Sequence, residues 1–453
     1  MSVLRLPHAE DPAVSICMVT YGAGDWALRA IEAVASCTPE PYELVVVDNA
    51  SPDGTGNLLE QQIQGATVVR NRRNLGFGAA SNQAALAARA PVLCLLNSDA
   101  LVSPGWLGPM LSDLEELPWA DAVAPMMRNL DGTLQEAGCM VAADGRPLTY
   151  GYGEDAGRPE HGFRRVVDYG SGACLAVRSG AFHRVGGFDP AFGLGYCEDI
   201  DLCLSLAAAG GATLYEPRSE VVHARGASGS ASDAAAEMDA LREANTSLLA
   251  RRWRDVLGCR GDLDSMLRRQ LAARDLLTVE RILVLTPELR TLGPGDAPAV
   301  LSARLAEGRP DARVTLAATA GDHPGAGLAP LAWAGVELAC TDGGFPRWLG
   351  ARAGHYTAIA LCSAGKTACG PTASGPAEAA ASEDGVLAAL RRHLPGVPVT
   401  LDASAPCDLA LAPAGCEPPR RTAPHTMGSR PLDTAEPGPP AVPGEESAVG
   451  GAR

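Results

Sequence analysis

"VSICMVTYGAGDWALRAIEAVASCTPEPYELVVVD", residues 14–48, sets two apolar runs of strand length on either side of a longer helix-like stretch. VSICMVT and ELVVVD are nearly continuous in apolar, β-branched residues. That is the pattern of strands covered on both faces of a parallel sheet. The stretch between them, DWALRAIEAVASC, reads as an amphipathic helix. The alternation continues outward: NLLEQQIQ follows ELVVVD, GAASNQAALAARA precedes PVLCLLNSD, and the pattern persists to Val222. This predicts an α/β domain with helices on both sides of a mostly parallel sheet.

Beyond it, residues 231–278 are rich in Ala, Arg, Leu and Glu and are expected to be helical. A second α/β unit begins at RILVLTPELR and continues through RVTLAAT, GVELACT, YTAIALC and PVTLDAS. From Pro406 the chain turns Pro- and Gly-rich without apolar periodicity, so a disordered tail is expected.

With 453 residues, 46% hydrophobic and 20% charged, the chain has room for two or three domains, each with its own core. Its net charge of -16 excludes a broad surface for nucleic-acid backbones or anionic lipids, which needs clustered cations. The thirteen cysteines show neither Cys-x-x-Cys pairing nor zinc spacing, which fits a reduced cytoplasm. MSVLRLPHAEDPAV lacks the apolar core of a signal peptide, and no apolar run approaches spanning length. The expected location is cytoplasmic, at most peripheral to the inner face of a membrane. There the sequons at Asn49 and Asn245 would be idle.

Ligands of open parallel sheets bind at the carboxyl ends of the strands. Four such edges carry polar residues: Thr20-Tyr21, Asp48-Asn49, Asn97-Ser98-Asp99, and His223. Each alone also fits turn chemistry. DNASPDG, for instance, offers Ser51 as an N-cap and Pro52 as a first helical residue. NRRNLGFGAASNQAA could bring backbone close to a ligand or merely permit a close helix–sheet contact. Arg70, Arg72 and Arg73 beside it could meet phosphate or stay solvated.

GGFDPAFGLGYCEDIDLCLSLAAAGG runs a Gly- and aromatic-rich loop into Glu198, Asp199 and Asp201. Acids in a first turn favour the helix dipole, but three in four positions exceed that need. A carboxylate beside such a loop, its pKa raised by neighbouring acids, is a candidate general base for a hydroxyl proton.

Together with VVVDNASPDGT, NLGFGAASNQA, LLNSDALVSPGWL, NLDGTLQ, SGACLAVRSGAF and VVHARGAS, these segments resemble the inverting glycosyltransferases of family 2, with the GT-A fold, in their bacterial rhamnosyltransferase-like branch. The likeness spans about residues 13–228. It implies that Thr20, Tyr21 and Asp48 receive the nucleoside of a sugar nucleotide, with Ser98 counted in the same donor site. Asn74, Gly76, Phe77 and Asn82 match the loop and helix packed beneath it. Asp99 matches the last acid of the Asp-x-Asp metal motif, Asn97 replaces its first acid, and His223 supplies a further contact to Mg²⁺ or Mn²⁺. Asp199 matches the catalytic base, Glu198 is its helper or rival, and Asp201 stabilises the helix start.

The function implied is metal-dependent, inverting transfer of a sugar from a nucleoside-diphosphate donor, often dTDP-rhamnose in this branch. The acceptor would be a hydroxyl of a saccharide or lipid-linked saccharide in cell-surface polysaccharide or glycoconjugate synthesis. The alternative is a non-catalytic sugar-nucleotide-binding or scaffold protein that keeps the fold. The expected layout is a leader (1–12), the GT-A domain (13–228), a helical extension (229–279), a smaller Rossmann-like unit (280–405) and the tail (406–453). Residues 280–405 more weakly resemble the N-terminal half of a GT-B glycosyltransferase.

Overall fold

The computed structural model describes residues 3–225, 232–258, 280–307, 312–319, 323–341, 344–352 and 355–362, with shorter pieces between 271 and 401. The expected tail, 406–453, and part of the expected helical extension lie outside the described residues.

The two opening runs form strands β1 (Val14–Thr20) and β2 (Tyr42–Asp48), joined by helix α1 (Gly24–Cys37). Helix α2 (Thr55–Gln62), β3 (Thr67–Arg70), α3 (Phe77–Ala87) and β4 (Val92–Asn97) follow. Next come β5 (Ala100–Val102), α4 (Gly108–Glu116), β6 (Ala120–Arg128), β7 (Leu134–Glu136), β8 (Arg165–Val167) and β9 (Cys174–Arg178). Helix α5 (Ser179–Arg184), α6 (Glu198–Ala208), β10 (Ala212–His223) and α7 (Ser232–Arg252) complete the unit. Its ten-stranded sheet runs β8-β10-β6-β9-β4-β1-β2-β3, with β5 paired to β10 and β7 to β6. The β4-β1-β2-β3 part is wholly parallel, and β9 stands antiparallel beside it.

Successive side chains of a strand face opposite ways, and both faces are covered here. Ile16 and Met18 join a core with Ala27, Ile31 and Val34 of α1 and Met110 of α4. Cys17 faces the other core, with Ala80 and Ala84 of α3, Ile200 and Leu204 of α6, and Leu249 of α7. This double burial is why the strand runs are continuously apolar. In α1 the buried positions Ala27, Ala30, Ile31 and Val34 recur every three or four residues, one stripe of a helix. Truncating the fully buried Ile31 to Ala is expected to cost about 2–5 kcal/mol.

One helix start differs from expectation. Helix α2 begins at Thr55 behind Gly54, whose φ is 85°, not at Ser51 and Pro52. Ser51 is engaged elsewhere: its Oγ accepts from the Gly22 N–H at 2.8 Å, and its own N–H donates to Asp48 Oδ1 at 3.1 Å. The segment is therefore a turn that ties the β1 and β2 loops together.

The second unit comprises β11 (Glu280–Thr286), α8 (Ala297–Ala306), β12 (Ala312–Ala318), β13 (Val336–Ala339), α9 (Phe345–Ala351), β14 (Ala358–Leu361) and β15 (Val399–Leu401). All its strands are parallel, in the order β13-β12-β11-β14-β15, the doubly wound arrangement. The two units share a seam. Phe163 belongs to the first in sequence yet is buried among Ile282, Val314 and Leu338 of the second. Arg164 N–H donates to Ala332 O at 3.1 Å, and Arg274, itself buried, pairs with Glu337 at 2.9 Å while lying over the Tyr150 ring.

Candidate active site

The carboxyl ends of the parallel strands meet one end of the long strand β10. Register pairs Thr20 with Asp48 and Val19 with Asn97, so three edges lie side by side. After Asn97 the chain turns at Ser98-Asp99 and returns as β5, antiparallel to β10, with Ala100 opposite His223. The Ala224 N–H donates to Asp99 O at 3.0 Å and closes the corner. Asp99 is thus buried, and its Oδ1 stands 3.2 Å from His223 Nε2.

The tautomer of His223 follows from its neighbours. Gln135 Nε2 donates to Asn129 Oδ1 at 2.9 Å and to His223 O at 3.2 Å, which leaves Gln135 Oε1 as the acceptor facing His223 Nδ1 at 2.8 Å. Nδ1 therefore carries a proton, and in the neutral ring Nε2 turns a lone pair toward Asp99. Asn97 Nδ2 lies 3.3 Å from the same nitrogen. A carboxylate oxygen and an imidazole lone pair at 3.2 Å repel unless a proton or a cation lies between them. The donor pair therefore fits a divalent ion. Among the described residues no group of three or more His, Cys, Asp or Glu forms a complete cage. A pair of protein ligands suits a cation whose other ligands are phosphate oxygens and water.

The second cluster stands at the start of α6. Tyr196 and Cys197 take left-handed φ values of 72° and 71° and deliver Glu198 and Asp199 into the first turn. Asp199 accepts from Gly172 N–H at 3.0 Å and from Ile200 N–H at 2.9 Å. Burial nevertheless pushes its pKa above the ordinary carboxylate value, against those two hydrogen bonds. Glu198 is pushed up to about 8, first by burial and then by the charge of Asp199. Its Oε2 is buried without a hydrogen-bond partner among the described residues.

Two bridges connect the clusters. Asn97 N–H donates to Ala173 O at 2.9 Å, and the neighbouring Gly172 holds Asp199. On β7, Gln135 orients His223, while the next residue, Glu136, is raised to about 8 by burial and by Asp199. Backbone hydrogen bonds thus link the strand that ends at the Asp99–His223 corner to the loop that holds Asp199. Gln135, Glu136 and Gly172 were not singled out from sequence; the NLDGTLQ and SGAC segments contain Gln135 and Gly172, and Glu136 lies just past the first.

The other anticipated residues divide. Asp48 is buried, accepts from Ser51 N–H and pairs with Arg70 Nε at 3.3 Å, so Arg70 steadies a strand edge. Thr20 Oγ1 donates to Gly22 O at 3.0 Å, Ser98 is buried in the Asp99 turn, and Tyr21 is exposed. Asn74 Oδ1 accepts from Asn49 Nδ2 and from Gly76 N–H, shaping the loop beneath. At Gly76, φ 87°, a Cβ would collide with Gly193 O; the Gly-rich segment makes room for the loop before α6. The Phe77 ring packs edge-on against Phe188 at 5.7 Å. Asn82 sits away from the edge, exchanging hydrogen bonds with the Phe188 backbone at 2.8 and 2.9 Å. Asp201 does more than begin a helix: Arg252 and Trp253 Nε1 hold its Oδ1 at 2.9 and 2.8 Å.

Residues 15–156 match the family model described as "Glycosyl transferase family 2". The chain is 30% identical over 297 residues to the N-acetylglucosaminyl-diphospho-decaprenol L-rhamnosyltransferase of Mycobacterium tuberculosis (strain ATCC 25618 / H37Rv), covering 59% of this chain and 94% of that protein. It is 47% identical over 58 residues to the rhamnosyltransferase WbbL of Escherichia coli (strain K12), covering 13% of this chain and 22% of that one. A crystal structure of GalNAc-T7 with UDP, GalNAc and Mn²⁺ matches with a TM-score of 0.41 at 18% identity, over 48% of this chain and 44% of that chain. That score is too low to bear on function.

Proposed function

The chain belongs to glycosyl transferase family 2 and is a glycosyltransferase of GT-A fold, and on that premise we propose that it is an inverting, divalent-cation-dependent enzyme acting on a lipid-linked saccharide. The proposed donor is dTDP-rhamnose and the proposed acceptor an N-acetylglucosamine carried on a lipid diphosphate. The extended similarity to the mycobacterial L-rhamnosyltransferase supports the rhamnosyl group and the acceptor. The pathway class is cell-surface polysaccharide synthesis. None of the described helices is long and apolar enough to cross a membrane.

What supports the reading is the His223–Asp99 donor pair at the sheet edge, joined through Asn97, Ala173 and Gly172 to the loop contact of Asp199, beside the buried Glu198. Asp99 and His223 would hold the cation, which when bound neutralises charge on the departing diphosphate. Thr20, Asp48 and Ser98, beside them, would border the nucleoside. Asp199 is the proposed base. Its two backbone N–H donors favour the ionised form, while Glu198, raised to about 8, keeps its proton at neutral pH. Asp199 takes the proton of the acceptor hydroxyl, whose oxygen forms the new bond to the anomeric carbon as the bond to the diphosphate oxygen breaks. In-line attack inverts the configuration. The unpartnered Oε2 of Glu198 is an atom that an acceptor hydroxyl can satisfy.

The deciding test measures nucleoside diphosphate released from a panel of nucleotide sugars with Mn²⁺, with and without an N-acetylglucosamine-diphosphate lipid. Release from dTDP-rhamnose that depends on the lipid is the expected result. Release from another donor rejects the rhamnose assignment, and none from any donor rejects the reading.

A further inference from the structure

Helix α7 follows the GT-A sheet in sequence and lies against the loop that delivers the two acids. Asn245, on that helix, is buried, and the two hydrogens of its Nδ2 are shared among three backbone carbonyls of the loop: Phe192 O at 2.7 Å, Gly195 O at 2.8 Å and Tyr196 O at 3.1 Å. Its Asn-Thr-Ser setting suggests an acceptor for glycan, yet a side chain so enclosed is closed to modification.

The loop needs such a hold. Gly193, Tyr196 and Cys197 all have φ between 65° and 72°. For Tyr and Cys this left-handed geometry is sterically disfavoured and persists only where the surroundings impose it. Three carbonyls turned inward would also be orphaned without a donor. The rest of α7 acts on the same segment. Arg252 pairs with Asp189 at 2.8 Å and Asp201 at 2.9 Å, at the two ends of the loop, and lies over Phe192. Arg242 lies 4.5 Å over the Tyr196 ring.

We propose that Asn245 is a positioning residue of the transferase: by gathering three loop carbonyls onto one amide it holds Tyr196 and Cys197 in left-handed geometry and so aims Glu198 and Asp199 at the acceptor. The proposal rests on the assignment of those acids given above. The expected signature is loss of turnover with donor binding kept, because Asn245 contacts the acid-bearing loop and not the Asp99–His223 edge. A displacement on the scale of 1 Å at the base costs up to about a hundredfold in rate.

The experiment compares wild type, Asn245→Ala and Asp199→Asn. Binding sites are counted by titrating dTDP with Mn²⁺, and turnover per site is measured with dTDP-rhamnose and the N-acetylglucosamine-diphosphate lipid. For Asn245→Ala we expect dTDP affinity within about threefold of wild type, and turnover per site lower by between about ten- and a hundredfold. A merely structural role would lower the number of sites and leave turnover per site unchanged; that result overturns the proposal. If the alanine variant does not fold, Asn245→Ser, which keeps one donor, is read by the same two quantities and the same criterion. Asp199→Asn separates the levels. Full activity in that variant removes the base assignment and the proposal with it; an inactive Asp199→Asn beside a fully active Asn245→Ala removes the positioning role alone.

Discussion

His223 Nε2 faces Asp99 Oδ1 across 3.2 Å, with the ring proton committed to Gln135 on the opposite nitrogen. A metal-binding imidazole gains orientation and basicity from such an outer partner, and loss of the partner typically weakens metal affinity about 10–100-fold. Gln135→Leu frees the tautomer without touching either ligand. Titration of Mn²⁺ at fixed dTDP should show a midpoint raised by about that factor, and His223→Ala a larger shift. Superimposable curves for wild type and both variants would remove the pair from any cation site.

The two acids of α6 are expected to part company when neutralised. Asp199→Asn keeps the shape but loses the base, and transfer should fall by about 10²–10⁴-fold while dTDP binding stays near wild type. Glu198→Gln keeps a donor where the protonated acid had one, so its loss should be smaller and fall mainly on the acceptor KM. The reverse order, with Glu198→Gln the inactive variant, would make Glu198 the base.

These relationships differ in how far they can be read from the chain. Double burial of the strands writes itself as continuous apolar runs, so the sheet and both units were legible from Ile16, Cys17 and Met18 onward. Glu198 and Asp199 stood out because the helix had more acid than its dipole needs. Gln135 did not stand out, since a hydrogen bond to His223 across 88 positions leaves no periodic trace. Asn245 was hidden for the same reason, its partners lying about fifty positions back. The late start of α2 was missed because Ser51 has the chemistry of a cap but spends it on Gly22. Nothing around Phe163 in the sequence marks it for the second unit's core, and only the fold brings it there.

Stability should fall as pH rises through the weakly acidic range. Glu198 is pushed from 4.5 up to about 8, so between these values the native protein holds a proton that the unfolded chain has released. The native state binding more protons makes stability decrease with pH, and the penalty is absent below about 4.5 and complete above about 8. Glu198→Gln removes that contribution. Urea unfolding should find the variant close to wild type at the acid end and more stable by at least about 1 kcal/mol at the alkaline end. Parallel stability curves across this range would mean that the carboxyl is not desolvated in solution.

The seam between the units rests on buried charge. Glu337 accepts from both Arg274 nitrogens, at 2.9 and 3.1 Å, and from Thr315 Oγ1 at 2.8 Å, and Arg274 holds its carboxyl down at about 2 despite burial. Arg274 in turn pairs with Asp275 at 2.6 Å and lies over the rings of Tyr150 and Phe163 from the first unit. Removing one partner of such a set leaves a buried charge only partly compensated, at a cost of up to about 3–5 kcal/mol. Glu337→Ala should lower stability by that amount. It should also loosen the first unit, because the guanidinium that loses this partner, and keeps Asp275 alone, is the one seated on Tyr150. Hydrogen exchange around Tyr150 and Phe163 should rise in step with the lost stability. A loss confined to the second unit, with exchange at Tyr150 unchanged, would mean that the two sheets are stabilised independently.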